Sequence, residues 1–376
     1  MRIGIDARFL GATNSNLAKY SENLLLALAR RDAANQYVVF VHGNLKRKLK
    51  LGANFRLVPM RGRPMGLGAI VRLSAAVRRE QLDVVHAHFP LMPLFHGRPT
   101  FITVHDLLPF ARDHGDFGTR FRPWRWLWTY LLYPMSVQRC KWIVCVSAAT
   151  RRSLRDLFPD SFQKSVVVHS GVNESFRAPL EAATRELIRA HLELPERYLL
   201  YSGSARADKN LAGLMRAFAE LRRRDAAQED LHLVLEIAGE EPSGHLIERL
   251  IVTHRLESRV RVIRNAGEEE RRVLFEDARA LVLLSRNEGF GFPVLEAQLC
   301  GLPVMVADSG ALPEVAGEGA LLVDPDNLEE TVTLLERLLT DETLRAYLIE
   351  KGRANAKRFD WNRAADWLVQ MFELLT

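Results

Sequence analysis

Cysteine is scarce in this chain, and an unbroken apolar run long enough to cross a membrane is missing from it. Cys140, Cys145 and Cys300 make an odd number, and the first two sit inside apolar stretches. That pattern argues against a disulfide framework and fits a reduced, cytosolic compartment. Their spacing matches no zinc site. The longest apolar-aromatic stretch, 123–137, is interrupted by Arg125 and falls short of the roughly 20 residues a spanning helix needs. The chain opens directly on a strand-like run, Arg2-Ile-Gly-Ile-Asp6, without a basic leader and apolar signal core, so the expectation is a cytoplasmic protein, soluble or peripheral on the inner face of the plasma membrane. There is no P-loop, no Gly-x-Gly-x-x-Gly turn, no tandem repeat and no low-complexity tract.

What is there suits two domains. At 376 residues and 48% hydrophobic, the chain exceeds one ordinary core and supplies material for two of about 150 to 200 residues each. Its 52 basic and 46 acidic residues leave +6, which favours anionic partners. Nucleotide diphosphates, nucleic acids and anionic lipid surfaces all qualify. A nucleic-acid-binding module rests on charge alone, for no basic helix or reader motif supports it.

Short β-branched runs alternate with amphipathic segments, the pattern of parallel sheets covered by helices on both faces. The first set is 2–6, 37–42, 55–60, 83–88, 100–105, 142–147 and 165–169. Helical spacing covers 17–30, 70–81, 124–140 and 148–157. A polar stretch, 171–179, reads as a linker, and a second set of strands follows at 198–203, 231–238, 259–263, 279–284, 303–307 and 320–323. The fold class is α/β, with two doubly wound Rossmann-like domains in series.

In such sheets ligands bind beyond the carboxyl ends of the strands, at helix N-termini. After 279–284 comes Ser285-Arg-Asn-Glu288, then Gly289-Phe290-Gly291-Phe292, then Pro293 opening a helix that Gly301 closes. The two glycines let backbone amides approach a ligand. Glu288 and Glu296 would stand on the order of 10 Å apart. A retaining hydrolase needs its carboxylates at about 5 Å and an inverting one at about 6.5 to 9.5 Å, so two posts gripping one elongated ligand is the better reading. A helix-terminal carboxylate beside a solvated loop acid is the alternative. After 198–203, Ser204-Ala-Arg206-Ala-Asp-Lys209 puts two cations at a helix start, an arrangement suited to a diphosphate; a solvated turn is the bland alternative. Strand 100–105 ends in His105, placed to donate to a sugar hydroxyl or move a proton near neutral pH. His86 and His88 point the same way but lack a third ligand, so they read as structural. Asp324-Pro-Asp326 imitates an Asp-x-Asp metal clamp, and a turn before the helix at Leu328 is preferred.

These residues together resemble the family-four retaining glycosyltransferases of GT-B fold, of the mannosyl- or rhamnosyltransferase type found in bacterial surface polysaccharide assembly. The resemblance is almost position by position over 278–326, through Glu288-Gly-Phe-Gly-Phe-Pro-Val-Leu-Glu296-Ala, Cys300-Gly-Leu-Pro-Val and Ala-Leu-Pro-Glu314-Val. More loosely it takes in Gly4-Ile-Asp-Ala-Arg8, Thr103-Val-His105-Asp-Leu-Leu-Pro109, Val146-Ser147, Tyr201-Ser-Gly-Ser204, Lys209-Asn-Leu and Phe359-Asp-Trp361. It implies an acceptor-binding domain at 1–172 and a nucleotide-sugar-binding domain at 173–358, facing each other across a cleft, with 359–376 crossing back to the first. It also implies sugar transfer with retention at the anomeric carbon and no bound metal or other cofactor. Glu288 and the 289–292 backbone would hold the donor sugar, Glu296 the ribose and Lys209 the diphosphate. Ser204 and Arg206 would lie beside that diphosphate, and His105 would touch the sugar from the first domain.

Two departures stand out. Where the family often has Arg, near the end of the strand closing at 203 or just before the lysine, this chain has Ser204 and Asp208, with Arg206 between them. The first loop, commonly glycine-rich, reads Gly11-Ala-Thr-Asn14-Ser-Asn16, so its side chains could read the acceptor or a phosphate, or mark a weakened relative. The resemblance implies a saccharide or lipid-linked saccharide acceptor and a GDP-linked hexose as donor, with a UDP-sugar second. The mixed basic and aromatic run 120–133 and the cluster 45–50 suit an anionic membrane surface, although 126–133 reads equally as helix core. A nucleotide-sugar epimerase or a catalytically silent partner of the same fold is the competing reading.

Overall fold

The computed structural model describes residues 1–12, 16–45, 48–93, 96–107, 110, 127–177, 180–224, 228–239 and 245–375. They fall into two compact units. One holds the described residues up to Gly171 together with those from Phe359 onward; the other is Val172–Arg358.

The first unit is built on seven parallel strands in the order β3-β2-β1-β4-β5-β6-β7. These are β1 Arg2–Ala7, β2 Gln36–His42, β3 Phe55–Met60, β4 Val84–Ala87, β5 Thr100–Val104, β6 Trp142–Cys145 and β7 Ser165–Val167. The central strands are buried on both faces, as continuous runs such as Tyr37-Val-Val-Phe-Val41 require. Helix Asn16–Arg31 puts Leu24, Leu25 and Leu28 into the core. The segment expected to be helical over 124–140 contains a π-turn, Trp128–Leu132, ahead of helix Tyr133–Arg139. The cause lies at Pro134, which has no N–H to continue the ordinary ladder, while the Tyr133 amide reaches back to the Trp128 carbonyl. The last helix, Trp361–Glu373, belongs to this unit: Arg30 Nε donates to Asn362 Oδ1 at 3.1 Å, Arg31 Nε donates to Asp366 Oδ1 at 2.7 Å, and the Phe372 ring lies 5.2 Å from Phe101.

The second unit has six parallel strands in the order β10-β9-β8-β11-β12-β13. They are β8 Tyr198–Gly203, β9 His232–Ile237, β10 Val260–Arg264, β11 Ala280–Leu283, β12 Val304–Ala307 and β13 Leu321–Val323. Helix Phe292–Cys300 follows β11, with Val294, Leu295, Glu296, Ala297 and Gln298 all buried. The described part of the stretch expected as a linker, 171–177, is not plainly polar. Phe176, in the short turn Glu174–Arg177, is buried and packs edge-on against Phe275 at 5.6 Å, so one aromatic anchors a segment whose composition reads as solvated.

Candidate functional site

Strand order reverses between β8 and β11 in the second unit, and a doubly wound sheet opens a ligand crevice where its order reverses. The segments leaving those two strands carry the residues singled out from sequence. After β8, Ser204 leads to Arg206 and the turn Ala207–Lys209; Asn210, left-handed at φ 53°, then admits helix Leu211–Arg224. After β11, Ser285 leads to Glu288. The two loops are joined by a backbone bond, Arg286 N–H to the Asp208 carbonyl at 2.8 Å.

Side chains complete the join. Lys209 Nζ lies 2.8 Å from Glu288 Oε1 and 3.1 Å from the Asn287 carbonyl. Arg206 forks onto Asp208, Nε to Oδ1 at 2.8 Å and Nη2 to Oδ2 at 2.7 Å, and Lys209 is 3.4 Å from the same carboxylate. Burial alone would raise the Asp208 pKa, but the Arg206 fork and the charge of Lys209 outweigh it and hold the group below the usual carboxylate range. The expected cation pair is therefore present, each member already held by a carboxylate of the chain. Ser204 takes part through its carbonyl, which accepts from the Tyr201 hydroxyl at 2.7 Å.

Two glycines make room for this turn. Gly291, at φ 100°, caps helix Phe292–Cys300 in a conformation that side chains resist, and Phe290 and Phe292 pack at 5.0 Å on either side of it. Gly310, at φ 62°, lies so close beneath Glu288 that a Cβ there would stand 2.8 Å from the Glu288 nitrogen. Neither Gly310 nor its neighbour Ala311, whose amide donates to the Glu288 carbonyl at 3.0 Å, is marked by the local sequence pattern.

Glu296 lies inside the helix, 4% exposed, and Arg271 engages both its oxygens, Nη1 to Oε1 at 3.1 Å and Nη2 to Oε2 at 2.6 Å. Arg271 in turn reaches Ser202 Oγ at 3.3 Å and stands 3.6 Å from Glu236, which accepts from Ser202 at 2.6 Å. Two buried carboxylates thus share one buried guanidinium. Their charges raise the Arg271 pKa against the lowering effect of burial, so the cation is permanent. Sequence reasoning missed Arg271, Glu236 and Ser202. The available signals were a glutamate inside the apolar run 231–238, and an arginine one turn before Leu274 and Phe275 on a buried helix face.

Asp324 and Asp326 form a turn. Asp324 Oδ1 accepts from the Asp326 amide at 3.0 Å, Asp326 pairs with Arg286 at 2.6 Å, and Asn327 caps helix Leu328–Thr340. Among the described residues no group of three or more His, Cys, Asp or Glu is arranged to hold a metal ion.

In the first unit, order reverses between β1 and β4. Just past β1, Arg8 pairs with Asp6 at 2.7 Å while both are buried, and its Nη1 is enclosed without a hydrogen-bond partner among the described residues. Gly11 lies in the following turn and Asn16 begins helix Asn16–Arg31; Asn14 lies outside the described residues. His86 and His88 are almost wholly buried, bonded to Thr103 Oγ1 at 2.9 Å and Ser21 Oγ at 3.0 Å. His105 Nε2 donates to the His88 carbonyl at 3.0 Å, which leaves Nδ1 as its acceptor nitrogen. Burial pushes the His105 pKa down to about 4 despite that bond. In this arrangement the ring is neutral near neutral pH, with Nε2 engaged by the His88 carbonyl and Nδ1 able to accept.

Known proteins resemble the chain over both units. The profile for Glycosyl transferases group 1 matches residues 184–355, and that for Glycosyltransferase Family 4 matches 17–176. The chain is 32% identical to a D-inositol 3-phosphate glycosyltransferase of Salinispora arenicola over 328 residues, covering 81% of this chain and 71% of that one. It is 26% identical to O-antigen chain mannosyltransferase B of Escherichia coli over 240 residues, 64% of this chain, and the match spans only 62% of that relative's length. Among solved structures, a sucrose-phosphate synthase from Thermosynechococcus elongatus superposes with a TM-score of 0.79 at 19% identity, over 100% of this chain and 99% of the other, a likeness of fold. With a profile match on each unit and two Rossmann-like sheets of matching topology, the chain belongs to the group 1, family-four glycosyltransferases of GT-B fold.

Proposed function

We propose that the protein is a retaining hexosyltransferase that moves a mannosyl or rhamnosyl group from a nucleoside-diphosphate sugar, GDP-linked by first choice and UDP-linked by second, to a saccharide or lipid-linked saccharide in surface polysaccharide synthesis. The observation that carries this reading is the meeting of Arg206, Lys209 and Glu288 where β8 and β11 diverge. In it, Lys209 and Arg206 meet the negative charge that grows on the diphosphate as the anomeric carbon–oxygen bond breaks, the work a divalent metal would otherwise do. Glu288 accepts hydrogen bonds from the donor sugar's hydroxyls. Glu296, oriented by Arg271, offers its remaining lone pairs to the ribose. The acceptor oxygen attacks from the face that the diphosphate leaves, and the leaving phosphate takes its proton, so no side chain is the base. His105 accepts a hydroxyl hydrogen bond through Nδ1.

Thermal shifts against GDP, UDP, GDP-mannose and UDP-glucose, with and without a chelator, test the donor site; stabilisation by a GDP ligand that survives chelation is the expected result. Dependence on added magnesium or manganese would sink the metal-free reading. Glu288→Ala should collapse turnover while free nucleotide still binds, and Glu296→Ala should weaken nucleotide binding itself. Analysis of the products separates transfer from epimerisation, because an epimerase changes the nucleotide sugar without any acceptor. Peripheral attachment to anionic membrane is part of the proposal, supported by Tyr130, 63% exposed and five positions after the basic run 120–125 in sequence. Failure to co-sediment with anionic vesicles at low salt would remove it.

A further inference from the structure

Both cations assigned to the diphosphate are paired within the chain. Arg206 spends two N–H groups on Asp208, and Lys209 lies between Asp208 and Glu288. Two positive and two negative charges make the cluster neutral overall. Glu288 has a role in the proposed reaction; Asp208 has none. Asp208 is also the more firmly fixed of the two, with a side chain 5% exposed against 19% for Glu288 and a backbone carbonyl held by the Arg286 amide.

We propose that Asp208 is a resident counter-anion with which the donor's diphosphate competes for Arg206 and Lys209, and that it sets how tightly the spent nucleoside diphosphate is held. The inference rests on the donor-site reading above. An anion entering a neutral cluster must draw both cations away from a carboxylate that already satisfies them. It therefore gains less than it would from two unpaired cations. After transfer, the product carries more charge on its terminal phosphate than the donor did, and would be the slower to leave an uncompensated cation pair. Asp208 supplies the competing anion that lets it go. The turn 207–209 is short, and Asp208 sits between the two cations in sequence, so it reaches both from one position.

The test is calorimetric titration of the full-length wild type and of Asp208→Asn and Asp208→Ser with inorganic pyrophosphate, GDP, UDP and the free nucleosides, at two salt concentrations. Asparagine preserves the shape of the side chain and removes its charge; serine guards against an amide that holds Arg206 as the carboxylate did. Melting curves confirm that each variant is folded. The expected result is about tenfold tighter binding of pyrophosphate and nucleoside diphosphate, a steeper loss with salt, and unchanged nucleoside affinity. In an Arg206→Gln background the gain should shrink, because the freed cation is gone. If wild type binds nucleoside diphosphate and both Asp208 variants bind it equally or less well, Asp208 merely orients Arg206 and the inference falls while the donor site stands. If no form binds nucleoside diphosphate at low salt, the donor-site reading fails and this inference with it.

Discussion

The first unit should lose stability in mild acid. His86 is fully buried, 2.9 Å from Thr103 Oγ1, with its Nδ1 enclosed and without a hydrogen-bond partner among the described residues; burial, then the neighbouring His105, pushes its pKa from 6.5 down to about 3. His88, 2% exposed, is lowered well below 6.5 by burial first and by His86 and His105 after it. A histidine whose pKa is depressed by folding is neutral in both states above pH 6.5 and costs nothing there. Below that, the unfolded chain takes up protons that the fold refuses, and stability falls by about 1.4 kcal/mol per pH unit for each such group. Between pH 6.5 and 4.5 His86 alone removes roughly 2 kcal/mol, and His88 adds to the loss in the same direction. The assay is simple because all six tryptophans, Trp124, Trp126, Trp128, Trp142, Trp361 and Trp367, lie outside 172–358. Urea melts followed by tryptophan emission therefore report the first unit alone. The midpoint should fall steadily from pH 6.5 to 4.5 and hold level from 6.5 to 8. A variant with His86→Gln and His88→Asn, whose amides keep the Thr103 and Ser21 bonds, should flatten the acid limb. A wild-type midpoint that does not move between pH 7 and 5 would refute the reasoning.

Arg271→Leu should destabilise the second unit by about 3 to 5 kcal/mol, since two buried carboxylates, Glu236 and Glu296, then lose the cation they share; the loss, read by circular dichroism in guanidinium melts, should be greater at pH 8 than at pH 5, because one of the two carboxyls would hold a proton in the fold. A cost under 1 kcal/mol would show that Arg271 does not neutralise the pair. Gly310→Ala should lower turnover at least tenfold by pushing the Glu288 backbone aside, whereas Gly301→Ala, at a similar φ of 69° but facing the Arg353 side chain, should share the roughly 1 to 2 kcal/mol backbone cost without the kinetic one. Equal effects on turnover would deny Gly310 its place under the site.

The sheets were legible because central parallel strands buried on both faces must be written as apolar runs; the edge strands β3 and β10 are only partly buried and carry arginines, yet they too fall on short β-branched runs. The strand-end residues were legible for a related reason: a strand, a glycine-rich turn and a helix start are consecutive in sequence, so Lys209 and Glu288 could each be placed without knowing the tertiary fold. Their partners are another matter. The Arg271 network draws on β8, β9 and two helices, with Ser202 and Glu296 nearly a hundred positions apart, and local periodicity carries no information about which buried polar groups meet. The π-turn before Pro134 and the Phe176 anchor were hidden for the same reason, each being decided by what the backbone or ring finds nearby.

That difference changes how the two glutamates should be understood. Read along the chain, Glu288 and Glu296 are equivalent acids eight positions apart. In the fold, Glu288 keeps partial exposure and has Lys209 as a cationic partner at 2.8 Å, an arrangement that a ligand can enter by exchange. Glu296 is sealed with Arg271, and a carboxylate so held can accept a hydroxyl but cannot travel to meet one. Under the proposed reaction, rigidity at Glu296 and exchangeability at Glu288 fit different tasks, a fixed grip on the nucleotide and an adaptable one at the sugar. If this division holds, substitutions at Arg271 that leave the unit folded should act on nucleotide affinity, and those at Lys209 on turnover. A Lys209 variant with reduced nucleotide binding and undiminished turnover at saturation would show that the division is drawn in the wrong place.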